Sequence, residues 1–330
     1  MPPGRFPAHC VASGEAGPDL MEAVAIDDLR VVLNDEIRTA IALMLIGMMF
    51  TVALSLRLED FHAVRRQPVQ ILGGVLAQII GLPLATMGLI LIISPPASIA
   101  LGMIIVASCP GGNVSNLLTD FARGNTAYSV SLTAISSVSS AIATPVSILF
   151  WSSLYPPTAA LVHTLDVAAL PFLLQTLSLL ALPLAAGMLV AAKFPNTAAQ
   201  MRKVLSPLSL LSLMALVAVG VQQNWNVLVV AGAIVVPIAI IHNTSAFALG
   251  AGSARLLRLD VARRRALTFE VGIQNSGLGL LILLSQFEGL GGAAAITAVW
   301  SIWHLIAGGA LAGLFRGLDQ VHKSGKQERP

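Results

Sequence analysis

The sequence predicts an all-α protein that crosses a membrane many times. Of its 330 residues, 56% are hydrophobic and only 11% are charged. A soluble protein carries roughly 25% charged residues, so this chain has too few to cover a surface that faces water. About twenty apolar residues make a helix long enough to cross a bilayer, and nine segments of the chain have that character.

The nine predicted spans are separated by prolines and short polar stretches. Their bounds are 37–56, 69–93, 98–120, 126–151, 167–191, 205–221, 226–250, 266–285 and 292–315. The connecting loops are too short to hold a second folded domain. We therefore expect a polar N-terminal segment over 1–36, one transmembrane domain over 37–316, and a tail over 317–330.

The N-terminal segment is the only long polar stretch before the first span. It contains seven of the sixteen acidic residues, and its first twenty residues are rich in proline and glycine, which favours disorder. No basic start leads into an apolar region, so we predict no signal peptide. Met21 is an alternative start, and the sequence leaves that choice open.

The basic residues predict the orientation in the membrane. Sixteen of the nineteen lysines and arginines fall in alternate loops and in the tail, and the three others precede or open the first span. Positively charged loops stay in the cytoplasm, so the C-terminus is predicted to be cytoplasmic and, with nine spans, the N-terminus outside. Since these charges orient the protein, the net charge of +3 does not indicate a nucleic-acid partner.

Two of the predicted spans are interrupted by short polar, glycine-bearing stretches. The third contains Cys-Pro-Gly-Gly-Asn-Val-Ser-Asn at 109–116, and the eighth contains Glu-Val-Gly-Ile-Gln-Asn-Ser-Gly at 270–277. A broken helix in a bilayer survives only where it lines a cavity or binds something. Such a pair at matching places in two halves indicates a secondary transporter built from inverted repeats, with the first half lacking its opening span.

Glu270 is the one carboxylate inside the hydrophobic stretch of a predicted span. A charge at that depth costs about 2.5–3.5 kcal/mol on insertion scales, so the carboxylate needs a partner. No lysine or arginine lies at comparable depth, which makes a bound cation the simplest partner. A protonated glutamate hydrogen-bonded in the core is the alternative.

The groups near Glu270 along these segments are neutral oxygens, which hard cations such as sodium prefer. Ser129 and Thr133 are four residues apart and share one face of the fourth span. The alternative for such hydroxyls is a hydrogen bond back to their own helix. The candidates are Gln78, Ser115, Asn116, Ser129 and Thr133.

An organic substrate is indicated more weakly. His304 follows Trp303 in the ninth span, and Trp300 adds a second large amphipathic side chain beside it. The alternative is a histidine that is simply packed in the protein core.

At these residues the chain resembles the bile acid:sodium symporter family. The resemblance runs from about Leu45 to Phe315. It is carried by Cys-Pro-Gly-Gly-x-x-Ser-Asn at 109–116, Ala-Arg-Gly-Asn at 122–125, Glu270 to Leu278, Ala77-Gln78 and Trp303-His304.

The resemblance implies a fold of inverted repeats arranged as a core domain and a panel domain, with two discontinuous helices that cross. Spans 3–4 and 8–9 would belong to the core domain. Family members usually have ten helices in bacteria. This chain looks like the nine-helix members, whose first span matches the usual second one.

The resemblance also implies two sodium ions and a substrate site. The first ion would be held by Ser115, Asn116, Ser129, Thr133 and Glu270. The second would be held by Gln78, Glu270, Val271, Ile273 and Gln274, with Val271 and Ile273 acting through their carbonyls. Asn113, Asn275 and His304 would face the substrate.

The predicted function is therefore sodium-coupled import of an organic anion, bile-acid-like or a small organic acid, by alternating access in a bacterial inner membrane. A proton-coupled or uncoupled carrier on the same fold, or a membrane sensor, is the alternative. An enzyme is not predicted, because no nucleophile with a base or metal set lies in a span. Membrane lipid is an expected partner, nucleic acid is not, and a monomer is compatible with the sequence.

Overall fold

The structure is a computed structural model. It describes residues 26–27, 35–61, 65–165, 167–223, 225–287 and 290–327. Most of the predicted N-terminal segment, Met21 included, and the last three residues of the predicted tail lie outside this range. Within it the chain is helical almost throughout, and an isolated bridge pairs Gly111 with Gln274. The prediction of an all-α protein is confirmed.

The α-helices follow one another with short connections over the described part of the chain. A 3₁₀-helix lies at Leu58–Phe61, and a π-helical turn at Ala77–Gly81 joins the second and third helices. The helices are α1 (Asp35–Ala53), α2 (Pro68–Leu76), α3 (Leu82–Ile93), α4 (Ala97–Ala107), α5 (Val114–Phe121), α6 (Thr126–Leu154), α7 (Pro156–Thr164), α8 (Ala169–Lys193), α9 (Pro195–Gln223), α10 (Trp225–Leu256), α11 (Val261–Gly272), α12 (Ser276–Gln286) and α13 (Gly291–Gln327).

Six helical segments among the described residues are long and apolar enough to cross a membrane. They are Glu36–Ala53, Pro68–Ile93, Thr126–Leu154, Ala169–Lys193, Gly232–Leu256 and Gly291–Gln320. The chain is thus a multi-pass membrane protein. The predicted spans 98–120 and 266–285 each fall on two short helices, and 205–221 lies within α9, so the count of nine stays a prediction.

The helices pack into two groups. In one group α8 runs along α1, and α9 packs against both of them. In the other, α10 packs along α11 and α13, and α13 also covers α4. The two groups meet where α8 contacts α6 and where α12 contacts α1. The four short helices α4, α5, α11 and α12 all belong to the second group.

Side-chain caps fix where the helices around the site begin. The Asn125 side chain accepts the Tyr128 N–H at 2.9 Å, and the Asp260 side chain accepts the Arg263 N–H at 3.0 Å. Such caps satisfy N–H groups that have no partner inside a helix. The Asn125 N–H also donates to the Ala262 carbonyl at 3.0 Å, which ties the start of α6 to the start of α11.

A distant carboxylate caps α4. Its N-cap residue is Pro96, whose side chain cannot accept a hydrogen bond. Asp27 instead accepts the N–H groups of Ala97 at 3.1 Å and Ser98 at 2.7 Å. The adjacent Ile26 is buried. This contact fastens the described part of the N-terminal segment to the helix that leads into the first interruption.

Candidate functional site, an oxygen cluster between two helix breaks

The chain leaves helical conformation at both predicted interruptions. The first break separates α4 from α5 and the second separates α11 from α12. Carbonyls at the end of a helix need partners. The Thr144 hydroxyl of α6 donates to the Ser108 carbonyl at 2.8 Å, and the Asn243 Nδ2 of α10 donates to the Gly272 carbonyl at 2.8 Å. Neighbouring helices thus stabilise both breaks.

The two breaks face each other across the isolated β-bridge between Gly111 and Gln274. The Gly112 N–H donates to the Ile273 carbonyl at 3.0 Å, and the Asn275 N–H donates to the Pro110 carbonyl at 2.8 Å. Both segments are extended there, so their backbones pair as strands do. Residues 163 positions apart, Gly111 and Gln274, therefore lie side by side.

Glu270 lies in the last turn of α11 and is completely buried. The Ser115 hydroxyl of α5 donates to its Oε2 at 2.7 Å, and the Thr133 hydroxyl of α6 lies 2.9 Å from Oε1 and 2.8 Å from Oε2. A Cβ on Gly111 would collide with Oε1. Only glycine at that position lets the first break approach the carboxylate so closely.

The hydroxyl of Thr133 is surrounded by more acceptors than it can serve. Besides both Glu270 oxygens, it lies 3.3 Å from Asn116 Oδ1 and 3.1 Å from the Ser129 carbonyl. A hydroxyl has one hydrogen to donate. Ser129 Oγ lies 3.3 Å from Thr119 Oγ1. The cluster is rich in oxygen and poor in protons, which is the composition that a hard cation requires.

The structure thus brings together the whole set that was predicted for the first sodium ion. The shared property of its members is an oxygen atom within one buried cluster. They are Ser115, Asn116, Ser129, Thr133 and Glu270. Their role in holding an ion stays a prediction.

Gln78 carries the side-chain amide of the second set. It lies in the π-helical turn, is completely buried, and its Nε2 lies 3.2 Å from Gln274 Oε1 and 3.5 Å from the Glu270 carbonyl. Its Oε1 is buried and has no hydrogen-bond partner. An orphaned buried acceptor calls for an explanation, and a cation would supply one.

The remaining atoms of the second set lie in the second break and in the last turn of α11 before it. The Val271 carbonyl accepts Gln274 Nε2 at 2.8 Å, and the Ile273 carbonyl accepts the Gly112 N–H. Each carbonyl oxygen has a second lone pair, so these bonds leave room for a cation. The predicted ligands Gln78, Glu270, Val271, Ile273 and Gln274 thus lie together, and their ion-binding role stays a prediction.

The three residues predicted to face the substrate lie in different settings. Asn113 and Asn275 occupy the N-cap positions of α5 and α12, on either side of the bridge. Asn113 is exposed and makes no cap bond, whereas the Asn275 side chain accepts the Leu278 N–H at 3.1 Å. His304 is buried and its Nδ1 lies 2.8 Å from the Trp300 carbonyl. The substrate roles of all three stay predictions.

A cavity of about 340 Å³ lies between α1 and α9, with one residue of α12 in its wall. Two serine hydroxyls are the polar side chains of its wall, which is otherwise apolar. It is lined by Ala40, Leu43, Met44, Gly47 and Met48 of α1, Leu205, Leu208, Ser209 and Ser212 of α9, and Leu281 of α12. Leu281 belongs to α12, whose N-cap is Asn275, so the cavity adjoins the helix that begins at the second break.

Sequence reasoning missed the residues that support the site from behind. Thr119, Thr144 and Asn243 are all completely buried and contact the cluster or the broken ends. Asn243 had a signal in the sequence, because an amide in an apolar run is costly unless it is bonded. The π-helical turn had one too. Pro83 has no N–H to donate, so the helical hydrogen-bond ladder is interrupted beside Gln78.

Clusters of metal-binding acids, histidines and cysteines do not occur in the part of the chain that the structure describes. The site is made of one carboxylate surrounded by hydroxyl, amide and carbonyl oxygens. Transition metals favour nitrogen and sulfur ligands, whereas this set suits a hard cation of low charge.

Residues 42–231 match the sequence model of the Sodium Bile acid symporter family. The chain belongs to this family. The resemblance drawn from the motifs is thereby confirmed, and the protein is a transporter and not an enzyme.

Individual relatives agree with the family match. The chain is 34% identical over 264 residues to an uncharacterized sodium-dependent transporter of Bacillus subtilis, YocS, covering 80% of this chain and 79% of the relative. It is 33% identical to the probable sodium/metabolite cotransporter BASS1 of Arabidopsis thaliana chloroplasts, over 81% and 64%. It is 24% identical to the human ileal sodium/bile acid cotransporter, over 98% and 92%.

Proposed function

We propose that this protein is a sodium-coupled symporter that imports an organic anion across a bacterial inner membrane. The observation that carries the proposal is the environment of Glu270. Its buried carboxylate accepts hydrogen bonds from the hydroxyls of Ser115 in α5 and Thr133 in α6, and it takes part in none of the ion pairs of the described residues. A buried charge without a counter-charge is strongly unfavourable, so a cation there has a clear stabilising effect.

The first sodium ion would lie among Ser115, Asn116, Ser129, Thr133 and Glu270. When it enters, the hydroxyls of Ser115 and Thr133 turn their hydrogens away from the carboxylate. Thr133 already has the Ser129 carbonyl at 3.1 Å as an alternative acceptor. Both hydroxyl oxygens then direct lone pairs to the ion.

The second sodium ion would lie among Gln78, Glu270, Val271, Ile273 and Gln274. Gln78 Oε1, which has no hydrogen-bond partner among the described residues, becomes a ligand. Glu270 contributes to both sites, so an ion in one site would change the binding free energy of an ion in the other. Two sodium ions with a monovalent anion carry one net positive charge inward, which adds about 2.3 kcal/mol of driving force at 100 mV.

The substrate anion would bind near the N-termini of α5 and α12. Free N–H groups and the positive end of the helix dipole favour an anion there, and Asn113 and Asn275 stand at these two positions. His304 and the apolar cavity beside α12 would contact the rest of the molecule. The names of the human and Arabidopsis relatives, a bile acid and a metabolite cotransporter, support a bile-acid-like anion or a small organic acid.

The transport cycle we propose is alternating access with nine spans, the N-terminus outside and the C-terminus in the cytoplasm. The helix group of α1, α8 and α9 would be the panel domain. The group that contains both breaks would be the core domain, built on inverted repeats. Ion binding orders the breaks, and movement of one group against the other exposes the site to each side in turn.

Uptake into proteoliposomes tests this proposal. Labelled taurocholate and a panel of small carboxylates are offered with an inward gradient of sodium, of potassium or of protons. We expect accumulation of at least one anion only with the sodium gradient. Uptake that is driven equally by potassium, or by protons without sodium, would overturn the coupling and favour the alternative carriers.

A further inference from the structure

A second buried charge lies on the same helix as Glu270. Arg265 of α11 is only 9% exposed. Its Nη2 donates to Asp319 Oδ1 at 2.6 Å and its Nη1 to Asp319 Oδ2 at 2.8 Å. This two-pronged pairing of a guanidinium with a carboxylate is strong and fixes the direction of both side chains. Asp319 belongs to the residues that the sequence assigned to the tail, but α13 continues through them to Gln327.

The same guanidinium also binds the end of α5. Its Nη1 donates to the Ala122 carbonyl at 2.7 Å, and Ala122 is the C-cap of α5. The charge also lies 5.2 Å from the centre of the Phe315 ring of α13. A second contact reinforces the junction, because the Arg316 guanidinium lies 4.6 Å from the centre of the Phe121 ring. One arginine thus joins α5, α11 and α13.

The short helices α5 and α11, which Arg265 joins, carry the two sides of the oxygen cluster around Glu270. Ser115 and Asn116 are in the first turn of α5, and Ala122 follows its last turn. Glu270 is one and a half turns after Arg265 on α11. The β-bridge holds α5 and α11 together at the breaks, and Arg265 binds the opposite end of α5. Because α5 has eight residues and is about 12 Å long, these two contacts hold it at both ends.

We propose that Arg265 and Asp319 form a positioning pair for sodium binding. They hold α5 against α11 in the register at which the Ser115 hydroxyl meets the Glu270 carboxylate. The inference rests on the proposed function, because its effect on transport is read through sodium. A lysine at 265 keeps the charge but lacks the fork that reaches Asp319 and Ala122 at once.

Three variants test the pair in transport: Arg265→Lys, Asp319→Asn, and the double exchange of Arg265→Asp with Asp319→Arg. We expect both single variants to raise the sodium concentration for half-maximal uptake about fivefold or more, the usual lower bound of coupling between two sites. The exchange should recover part of that loss. Arg264→Lys is the matched control, since Arg264 is exposed on the same helix and its Nε donates to the nearby Leu259 carbonyl at 2.7 Å, and it should leave sodium activation unchanged.

A distance measurement separates this inference from the proposed function. Spin labels at Leu117 of α5 and Val261 of α11, which are 70% and 60% exposed, report the register of the two half-helices in a cysteine-free background. We expect Arg265→Lys to shift or broaden the distance distribution. An unchanged distribution, or single variants that lose protein yield without altering sodium activation, would overturn the positioning pair. A wild-type protein that shows no response to sodium would instead overturn the proposed function.

Discussion

The two helix breaks meet at one bridge, yet they are built differently. The first is six residues long, from 108 to 113, and the second only three, from 273 to 275. At the end of the long break Asn113 leaves the N-terminus of α5 without a side-chain cap, whereas Asn275 caps α12 through its side chain. The long break contains the paired glycines, and the short one begins three residues after the buried carboxylate of Glu270.

This difference gives the two breaks different roles in the site. The second break and the helix before it supply the charge and the carbonyls, in a segment with little freedom. The first break supplies space, because a side chain on Gly111 would occupy the place of the Glu270 carboxylate and one on Gly112 would lie 3.1 Å from the Gln274 carbonyl. The second break and the end of α11 thus supply the charged and carbonyl oxygens, and the glycines of the first break leave room for them.

The charge of the second break should matter most. We expect Glu270→Gln to abolish sodium-dependent uptake, because the amide keeps the shape of the side chain but removes the negative charge that both proposed ions would share. Uptake in proteoliposomes measures the effect, and size-exclusion chromatography checks folding. Glu59→Gln, at an exposed position, is the control. Retained coupling in Glu270→Gln would remove this carboxylate from the mechanism.

The space given by the first break should matter next. We expect Gly111→Ala to eliminate sodium-induced thermal stabilisation and to lower the free energy of unfolding by about 1–3 kcal/mol, since its Cβ collides with Glu270. Gly88→Ala, where a Cβ meets nothing within 4 Å, should keep the sodium response and stay at least as stable. A full sodium response in Gly111→Ala would show that the two breaks do not depend on close contact.

A neutral ligand should have a smaller effect than the charge. We expect Thr133→Val, which keeps the side-chain volume, to raise the sodium concentration for half-maximal uptake roughly tenfold. Ser131→Ala provides the control on the same helix, because the Ser131 hydroxyl bonds back to the Ala127 carbonyl at 2.9 Å. Equal sodium activation in the two variants would mean that Thr133 only stabilises its own helix.

Replacing Asn113 or Asn275 should have the smallest effects, and the two effects should differ as the two breaks do. Asn275→Ala removes a helix cap and should lower the free energy of unfolding by about 1 kcal/mol. Asn113→Ala removes no cap bond and should leave thermal stability unchanged while weakening binding of the transported anion. Thermal unfolding and substrate titration measure both quantities. An equal loss of stability in the two variants would contradict the difference between the breaks.

The sequence was informative wherever a residue conflicted with its own neighbourhood. A carboxylate and two glycine-bearing stretches in apolar segments predicted the breaks, the buried charge and the oxygens around it. The single amide of Gln78 predicted its inward position. Such groups are unfavourable in a bilayer whatever the tertiary packing is, so the amino-acid sequence is enough to identify them.

The supporting contacts could not be predicted in the same way. Asp27 caps a helix some seventy residues later, and Asp319 binds an arginine 54 residues earlier, in a stretch that the composition describes as a polar tail. Charged residues near chain ends are ordinarily solvated, and only the packing of α13 against α11 and α5 gives this one a buried partner. Nothing in the local pattern distinguishes it from its neighbours.

The bridge between the breaks holds the two segments together and opposes their separation. Separating Gly112 from Ile273 would leave a buried N–H and a buried carbonyl without a hydrogen bond, which costs about 1–3 kcal/mol of free energy for each unpaired group. In the proposed cycle the short helices that flank the breaks would therefore move together as one body, and the oxygen cluster between them would stay intact. The ions would cross the membrane inside that body, which would slide against the helices α1, α8 and α9.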